Sequence, residues 1–441
     1  MKPLRIILSA LLIASAGLCK ARTVGAWSLD SCISRAISAN IDVRAAILDG
    51  LESRQGITEA KDRFLPTLNA QAAQNWDFGR SLSSENTYAN RNTSTFGWGA
   101  QLQLPLFQGL SAVRSLRQAR EAARASGLRA RATQDQAALA TISYYLQALY
   151  NRELLAVSRE QLHLAATQLE RQQSLLEAGK VPEADVIQAR AQVATCRADT
   201  VEASNTLRLS LVELATFLEL PDPDGFDILP LDTADTDPAL LAASLPPRQA
   251  VLDRALSGYS SILAAEAGIR VADKAIDVAK SGYLPRLSFG AGISDSYYHM
   301  TGMPNNSFSR QMRDNLSKNI GFSLSIPIFD AFSTRNAVRR ARLSKLSAEL
   351  ELDRSRSQLR SAILQAYTQA EGAVARYEAT QTSVEATRTA LEAMTEKYTY
   401  GKANATEWQQ AQSDYITALS RRVQARYETI LRQRILEFYY R

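Results

Sequence analysis

The 441-residue chain is written twice, at a period of about 220 residues, and such a duplication has to be explained by any fold proposed for it. LPLFQGLSAVRSLRQAR at 104–120 aligns with IPIFDAFSTRNAVRRAR at 326–342, and RFLPTLNAQA at 63–72 aligns with GYLPRLSFGA at 282–291. LLEAGKVPEADVIQAR at 175–190 corresponds to KYTYGKANATEWQQAQ at 397–412, and Tyr145 falls on Tyr367. Residues 221–247 hold six of the thirteen prolines and several aspartates, which reads as a connector. The repeats are then 27–220 and 248–441.

Both halves follow one grammar. A helical segment ends at Leu65-Pro66 or Leu284-Pro285, and two alternating runs follow around a polar loop. The runs are about Thr67–Phe78 and Thr95–Leu104, then about Arg286–Tyr297 and Asn319–Ile326. Phe96, Trp98, Ala100, Leu102 and Leu104 alternate with Gly97, Gly99, Gln101 and Gln103, and Ile320, Phe322, Leu324, Ile326 and Ile328 repeat the pattern. Side chains on a strand point to alternate faces, so each run has one apolar face and one small or polar face. Strands of this length fit a membrane β-barrel; a half-buried soluble sheet is the other reading of the pattern. Trp76, Phe78, Trp98, Tyr297 and Tyr298 fit either interfacial girdles or ordinary strand packing. The loops Arg80–Asn92 and Met300–Asp314 are expected to face outward.

After each strand pair the pattern becomes helical. No proline occurs between Pro105 and Pro182, nor after Pro327, and the composition is rich in Ala, Leu, Arg, Glu and Gln. Leu139, Ile142, Leu146 and Leu149 step by three and four, as do Leu207, Leu211, Leu214 and Leu218. A helix over Ser111–Glu177 would be roughly 100 Å long and would need neighbouring helices along its length. Pro105 with Phe107, and Pro327 with Phe329, mark the joints between strand and helix. The residue before proline is held extended, so the strand is expected to leave its sheet there. Gly109 or Ala331, followed by Ser111 or Ser333, then allows a turn and a helix start.

The formal charge is +6, but Lys2, Arg5, Lys20 and Arg22 lie before Trp27 in a stretch without acids, which leaves +2, six less four, for the rest. A basic pI is therefore poor ground for a nucleic-acid partner. Residues 1–26 read as a secretory signal, with a basic start, an apolar core and small residues at Ala21 and Ala26. Cys19 follows Leu18, where lipoprotein processing wants a small residue. Beyond this segment no apolar run is long enough for a membrane-spanning helix. Cys32 and Cys196 are too few for a disulfide framework and read as buried apolar residues.

An enzyme reading finds little to stand on. His163 and His299 are the two histidines, Gly179-Lys180-Val181 lacks the spacing of a phosphate loop, and no cofactor fingerprint is present. No cofactor or metal is expected. The absence of Met/His clusters argues mildly against a dedicated copper or silver route. A periplasmic coiled-coil scaffold would explain the helices but not the alternating runs with their proline borders.

The order of these features resembles the outer-membrane efflux proteins of the TolC family over essentially the whole chain after the signal. WSLDSCISRAISAN at 27–40, both Leu-Pro strand starts, both P-[LI]-F joints and the paired Gly-Lys turns carry the resemblance. It implies a mostly α fold with β. A duplicated protomer of helix, two strands and long helical hairpin would trimerise into a twelve-stranded outer-membrane barrel and a periplasmic helical barrel. The implied partners are two further copies of the chain, a periplasmic adaptor, an inner-membrane pump of the resistance-nodulation-division, ABC or a similar type, and outer-membrane lipid. Gly179, Lys180, Gly401 and Lys402 would be the adaptor-contact tips, though a helical hairpin needs a turn in any case. Pro182 suits a first helical position. Asp185 and Glu407 each stand six residues after a tip glycine, and in a trimer they would supply six carboxylates to a constriction. Such crowding would raise their pKa values, while an acid in a first helical turn also favours the macrodipole. Tyr398 matches a gate tyrosine of the family. Ala403 and Gln410 stand where a gate arginine and a further acid can occur, so a network holding the closed state would use other partners or be weaker.

Overall fold

The structure, a computed structural model, describes residues 26–82, 88–90, 92–231 and 247–440. The expected signal with Cys19, part of the first loop and most of the connector lie outside these residues. In chain order the elements are α1 (Leu29–Ala39), α2 (Ile41–Asp62), β1 (Thr67–Asp77), β2 (Arg80–Leu82), β3 (Tyr88–Asn90), β4 (Thr93–Gln108), α3 (Ser111–Glu177) and α4 (Glu183–Phe217). The second half supplies α5 (Arg248–Gly258), α6 (Ser260–Lys280), β5 (Arg286–Met300), α7 (Phe308–Asp314), β6 (Ser317–Ser325), α8 (Ser333–Thr399) and α9 (Ala405–Tyr440). Two compact units result, and each draws on both halves: Arg44–Thr133 with Leu252–Ser361, and Met1–Val43 with Gln134–Val251 and Ala362–Arg441.

The first of these units holds the sheet. Four antiparallel strands run in the order β1-β4-β5-β6. Leu102 lies opposite Ala291 and Leu104 opposite Phe289, and Phe289 in turn opposes Phe322. Cross-strand partners share a face, so the apolar residues of the alternating runs gather on one side of the sheet. The outer strands β1 and β6 are exposed along their whole length, and each has one edge with no strand partner among the described residues.

The first joint departs from expectation. β4 does not leave the sheet at Pro105 but continues to Gln108, with a register shift between Pro105 and Phe107. The extra residue turns Phe107, which would otherwise face the polar side, back onto the apolar face opposite Leu287. A bulge is also one of the few places where a strand tolerates a residue without an N–H. In the second half β6 does end at Ser325, before Pro327 and Phe329, as the proline rule requires. Both joints then turn through two consecutive left-handed residues, Gly109 (φ 60°) with Leu110 (φ 63°) and Ala331 (φ 50°) with Phe332 (φ 61°).

Ser111 and Ser333 are the first helical residues rather than caps. The capping group at the second joint is Asp330, whose carboxylate accepts the Thr334 N–H at 2.8 Å. The hydroxyl and N–H of Thr334 hold that carboxyl below the usual aspartate range. The described parts of the two loops carry secondary structure. β2 and β3 form a small hairpin, and α7 folds back so that Phe308 packs against Tyr297 and Phe96 at 5.1 and 6.0 Å. Tyr297 therefore serves strand packing, whereas Trp76 and Phe78 are exposed.

The second unit is helical. Its core gathers Cys32, Ile142, Tyr145, Leu146, Leu149, Leu214, Leu218, Phe226, Ile228 and Ile430. Cys32 and Cys196 are both buried free thiols, and burial pushes Cys32 up to about 12. Trp27 pairs with the start of the connector through Trp27 N–H to Asp227 O and Leu229 N–H to Trp27 O, each 2.9 Å. Tyr145 fastens this pair by donating to the Leu229 carbonyl at 2.7 Å, with the Trp27 carbonyl at 3.0 Å. Arg35 donates to the carbonyls of Leu218 and Glu219, and so satisfies the end of α4.

Tyr145 is 1% exposed, and losing its hydroxyl removes the donor to the part-buried Leu229 carbonyl. Tyr145→Phe should destabilise the chain by about 0.5–1.5 kcal/mol, read as a lower denaturant midpoint. The aligned Tyr367 is only half-buried, and Tyr367→Phe should stay within about 0.5 kcal/mol. Equal effects at the two positions would contradict this account.

Candidate functional site at the paired helical turns

Each turn ends a helix of 67 residues. Beyond α3 the Lys180 N–H reaches the Leu175 carbonyl at 2.9 Å and the Gly179 N–H reaches Leu176 at 2.8 Å. Beyond α8 the same two bonds recur, Lys402 to Lys397 at 2.8 Å and Gly401 to Tyr398 at 3.1 Å. This nested pair requires a left-handed residue, which Gly179 (φ 67°) and Gly401 (φ 71°) supply. Lys180 and Lys402 are exposed and form no ion pair among the described residues.

The two turns restart their helices differently. Pro182 is not inside α4 as expected; it is the residue before it, extended at φ −73° and ψ 155°, and no side chain caps this helix. Asn404 occupies the aligned position. Its Oδ1 accepts the Glu407 N–H at 2.8 Å, and its own N–H donates to Glu407 Oε2 at 3.1 Å. That is a reciprocal capping box, so the Glu407 carboxylate is committed to the start of α9. Asp185 lies in the first turn of α4 beside Glu183, and among the described residues its carboxylate has no partner.

Glu407 lines an open groove of about 550 Å³ between α8 and α9, with Met394, Gln410 and Asp414. Asp185 does not line this groove. Close to the turns α4 and α9 meet in a neutral contact, Gln188 Nε2 donating to Gln409 Oε1 at 3.0 Å.

Tyr398 is the best-anchored residue of the region. Its hydroxyl accepts from Gln168 Nε2 at 3.3 Å and from Gln172 Nε2, so α8 is tied to α3. Its ring stacks on Trp408 at 5.9 Å, and the Arg171 guanidinium lies 5.7 Å from the ring centre. Trp408 is itself fixed by its Nε1–H, which donates to Thr395 Oγ1 at 3.0 Å. Gln172 is 2% exposed, and its Oε1 has no hydrogen-bond partner among the described residues. Gln410, where the family can carry an acid, instead donates to Asp414 at 2.9 Å.

Of the residues singled out from sequence, the structure brings Tyr398 into a defined network and places Glu407 in a cap. Gln168, Gln172, Arg171 and Trp408 were not anticipated. Asn404-x-x-Glu407 is a capping signature that a closer reading would have found. The glutamines carry no comparable local signal.

Comparison with known proteins gives a consistent result. The model of a family described as outer membrane efflux protein matches residues 32–218 and 251–438, one segment in each half. The chain is 23% identical over 398 residues to the outer membrane protein TolC of Escherichia coli, covering 90% of this chain and 78% of that one. It is 25% identical over 305 residues to TolC of Vibrio cholerae, covering 68% of this chain and 64% of that protein. Among solved structures, CusC superimposes with a TM-score of 0.73 at 18% identity, over 97% of this chain and 95% of CusC.

Proposed function

Because this chain belongs to the outer membrane efflux protein family, we propose that it is a passive exit duct, carrying substrates outward from a periplasmic adaptor and an inner-membrane pump. The family is one of transport proteins, and energy would come from the pump. One observation carries the reading. The sheet has an apolar face and two fully exposed outer strands, and four strands cannot close on themselves. Open strand edges are not tolerated in lipid, so β1 of one copy would pair with β6 of the next. A cyclic homotrimer closes twelve strands in this way. The repeats 27–220 and 248–441 would then act as quasi-equivalent staves, with 221–247 linking them.

In this reading the strands would be the membrane element; among the described residues no helix is long and apolar enough to cross a bilayer. The purified chain should need detergent, run as a heat-modifiable oligomer and conduct ions in a planar bilayer. A chain released from membranes by salt or carbonate, as a coiled-coil scaffold would be, would end this reading.

The Gly-Lys turns are the proposed adaptor contacts, and Asp185 with Glu407 the proposed acidic constriction. Because Glu407 also caps α9, truncation would mix two effects. Gln preserves a capping box and removes the charge. Asp185→Asn combined with Glu407→Gln should therefore weaken block by multivalent cations and raise single-channel conductance without lowering thermal stability. No change in either property would remove the ring from the mechanism.

A further inference from the structure

Both long helices leave the sheet on a basic stretch. Between Ser111 and Thr133, α3 carries six arginines against the single acid Glu121, and α8 carries four arginines and Lys345 before its first acid, Glu349. Arg117 and Arg120 align with Arg339 and Arg342 in the duplicated segment. All four are exposed, and among the described residues none has an ion pair or hydrogen bond.

An apolar band lies directly before each basic stretch. Phe107 and Leu110 are 38% and 43% exposed, and Phe329 and Phe332 are 74% and 50% exposed. Val113, Arg117 and Arg120 follow one face of α3 at helical spacing, and Arg335, Arg339 and Arg342 do the same on α8. The Arg335 guanidinium lies 4.1 Å from the ring centre of Phe332, which joins the two zones.

A missing neighbour does not account for the first band. Arg63 reaches Ser115 at 3.4 Å on one side, and on the other Arg114 donates to the Asp277 carbonyl at 2.9 Å. The first joint is thus flanked by its own chain and still exposes Phe107 and Leu110. The bulge returns Phe107 to the apolar face of the sheet, continuous with Leu104 and Phe289.

We propose that these joints bind the anionic headgroups of the phospholipid leaflet in which the sheet ends. Phe107 and Phe329 would lie among the acyl chains, and Arg117, Arg120, Arg339 and Arg342 would lie on the phosphates. A guanidinium fork matches a phosphate, its stem can cross the intervening apolar layer, and basic residues beside a bilayer are drawn to anionic lipid. The assignment rests on the outer-membrane reading above.

The test is reconstitution of the full chain into phosphatidylglycerol-containing and into phosphatidylcholine vesicles, with the lipid retained after detergent extraction counted by phosphorus assay. Wild type should retain phosphatidylglycerol in preference to phosphatidylcholine. Arg117→Gln, Arg120→Gln, Arg339→Gln and Arg342→Gln together should cut that retention by roughly tenfold. Replacing the same four by lysine should restore most of it. A control quadruple at the remote exposed Arg159, Arg190, Arg197 and Arg421 should retain lipid as wild type does. Equal retention of the two lipids, or equal retention by the joint and control variants, would overturn the proposal. So would unchanged lipid retention with a shifted anion-to-cation permeability, which would put these arginines in the duct wall. Selective phosphatidylglycerol retention without channel conductance would support the lipid site and count against the duct itself.

Discussion

Gly109→Ala should abolish accumulation of the folded chain in the outer membrane, whereas the matching change in the other half, Ala331→Gly, should be nearly silent. A Cβ at Gly109 would sit 2.7 Å from the Ser281 carbonyl oxygen and 2.9 Å from Leu284 Cβ, with the Leu284 carbonyl at 3.2 Å. Two of these neighbours are backbone atoms just ahead of β5, so relief means moving the start of a central strand. Gly109 also has φ 60°, which costs a residue with a Cβ about 1–2 kcal/mol. Overlap in a packed site adds about 1–3 kcal/mol. The sum is a large share of a stability of about 5–15 kcal/mol. Ala331 already carries its Cβ at φ 50°. There the strain relieved by glycine is roughly offset by the extra freedom glycine gives the unfolded chain, about 0.4–1 kcal/mol. Wild-type levels of Gly109→Ala in the outer-membrane fraction, with unchanged thermal denaturation, would refute the packing described at this joint.

This contrast between aligned positions shows what the sequence could and could not convey. Leu65-Pro66, Leu284-Pro285, Gly179 and Gly401 were legible because proline and glycine act on their own backbone. Strand faces were legible because alternation is a local property. The bulge after Pro105 was not, since the spacing from Leu104 to Phe107 acquires a meaning only against the register of β5. Tyr145 and Tyr367 align, yet only Tyr145 has the connector and the segment around Trp27 beside it to accept its hydroxyl. Glu407 and Asp185 align as acids, but Asn404 faces Pro182 across the repeat, so one acid caps a helix and the other does not. The partner of Tyr398 was hidden for a related reason. Gln172 is 226 positions away, and nothing near either residue announces the pairing.

Tyr398→Phe, or Gln172→Leu, should shift the duct towards its open state, seen as longer and larger openings in single-channel recordings. The Tyr398 hydroxyl ties α8 to α3 through two amide donors, and each such bond contributes about 1 kcal/mol. Losing 1–2 kcal/mol changes a two-state ratio by about 5–30-fold, and in a trimer the loss recurs in every copy. Gln172→Leu keeps the buried volume and removes an amide whose Oε1 has no partner among the described residues, so stability should fall little while gating changes. That separation distinguishes a latch from a packing residue. Because the two donors to Tyr398 are side-chain amides and no carboxylate takes part, the gain in opening should be the same from about pH 5 to pH 8. A carboxylate–tyrosine latch would instead loosen as the acid is protonated. Gln172→Glu would introduce such a titrating group, and its openings should grow as pH falls. Unchanged gating in both Tyr398→Phe and Gln172→Leu would show that the duct is held shut elsewhere, and would reduce the Tyr398 network to a helix-packing contact.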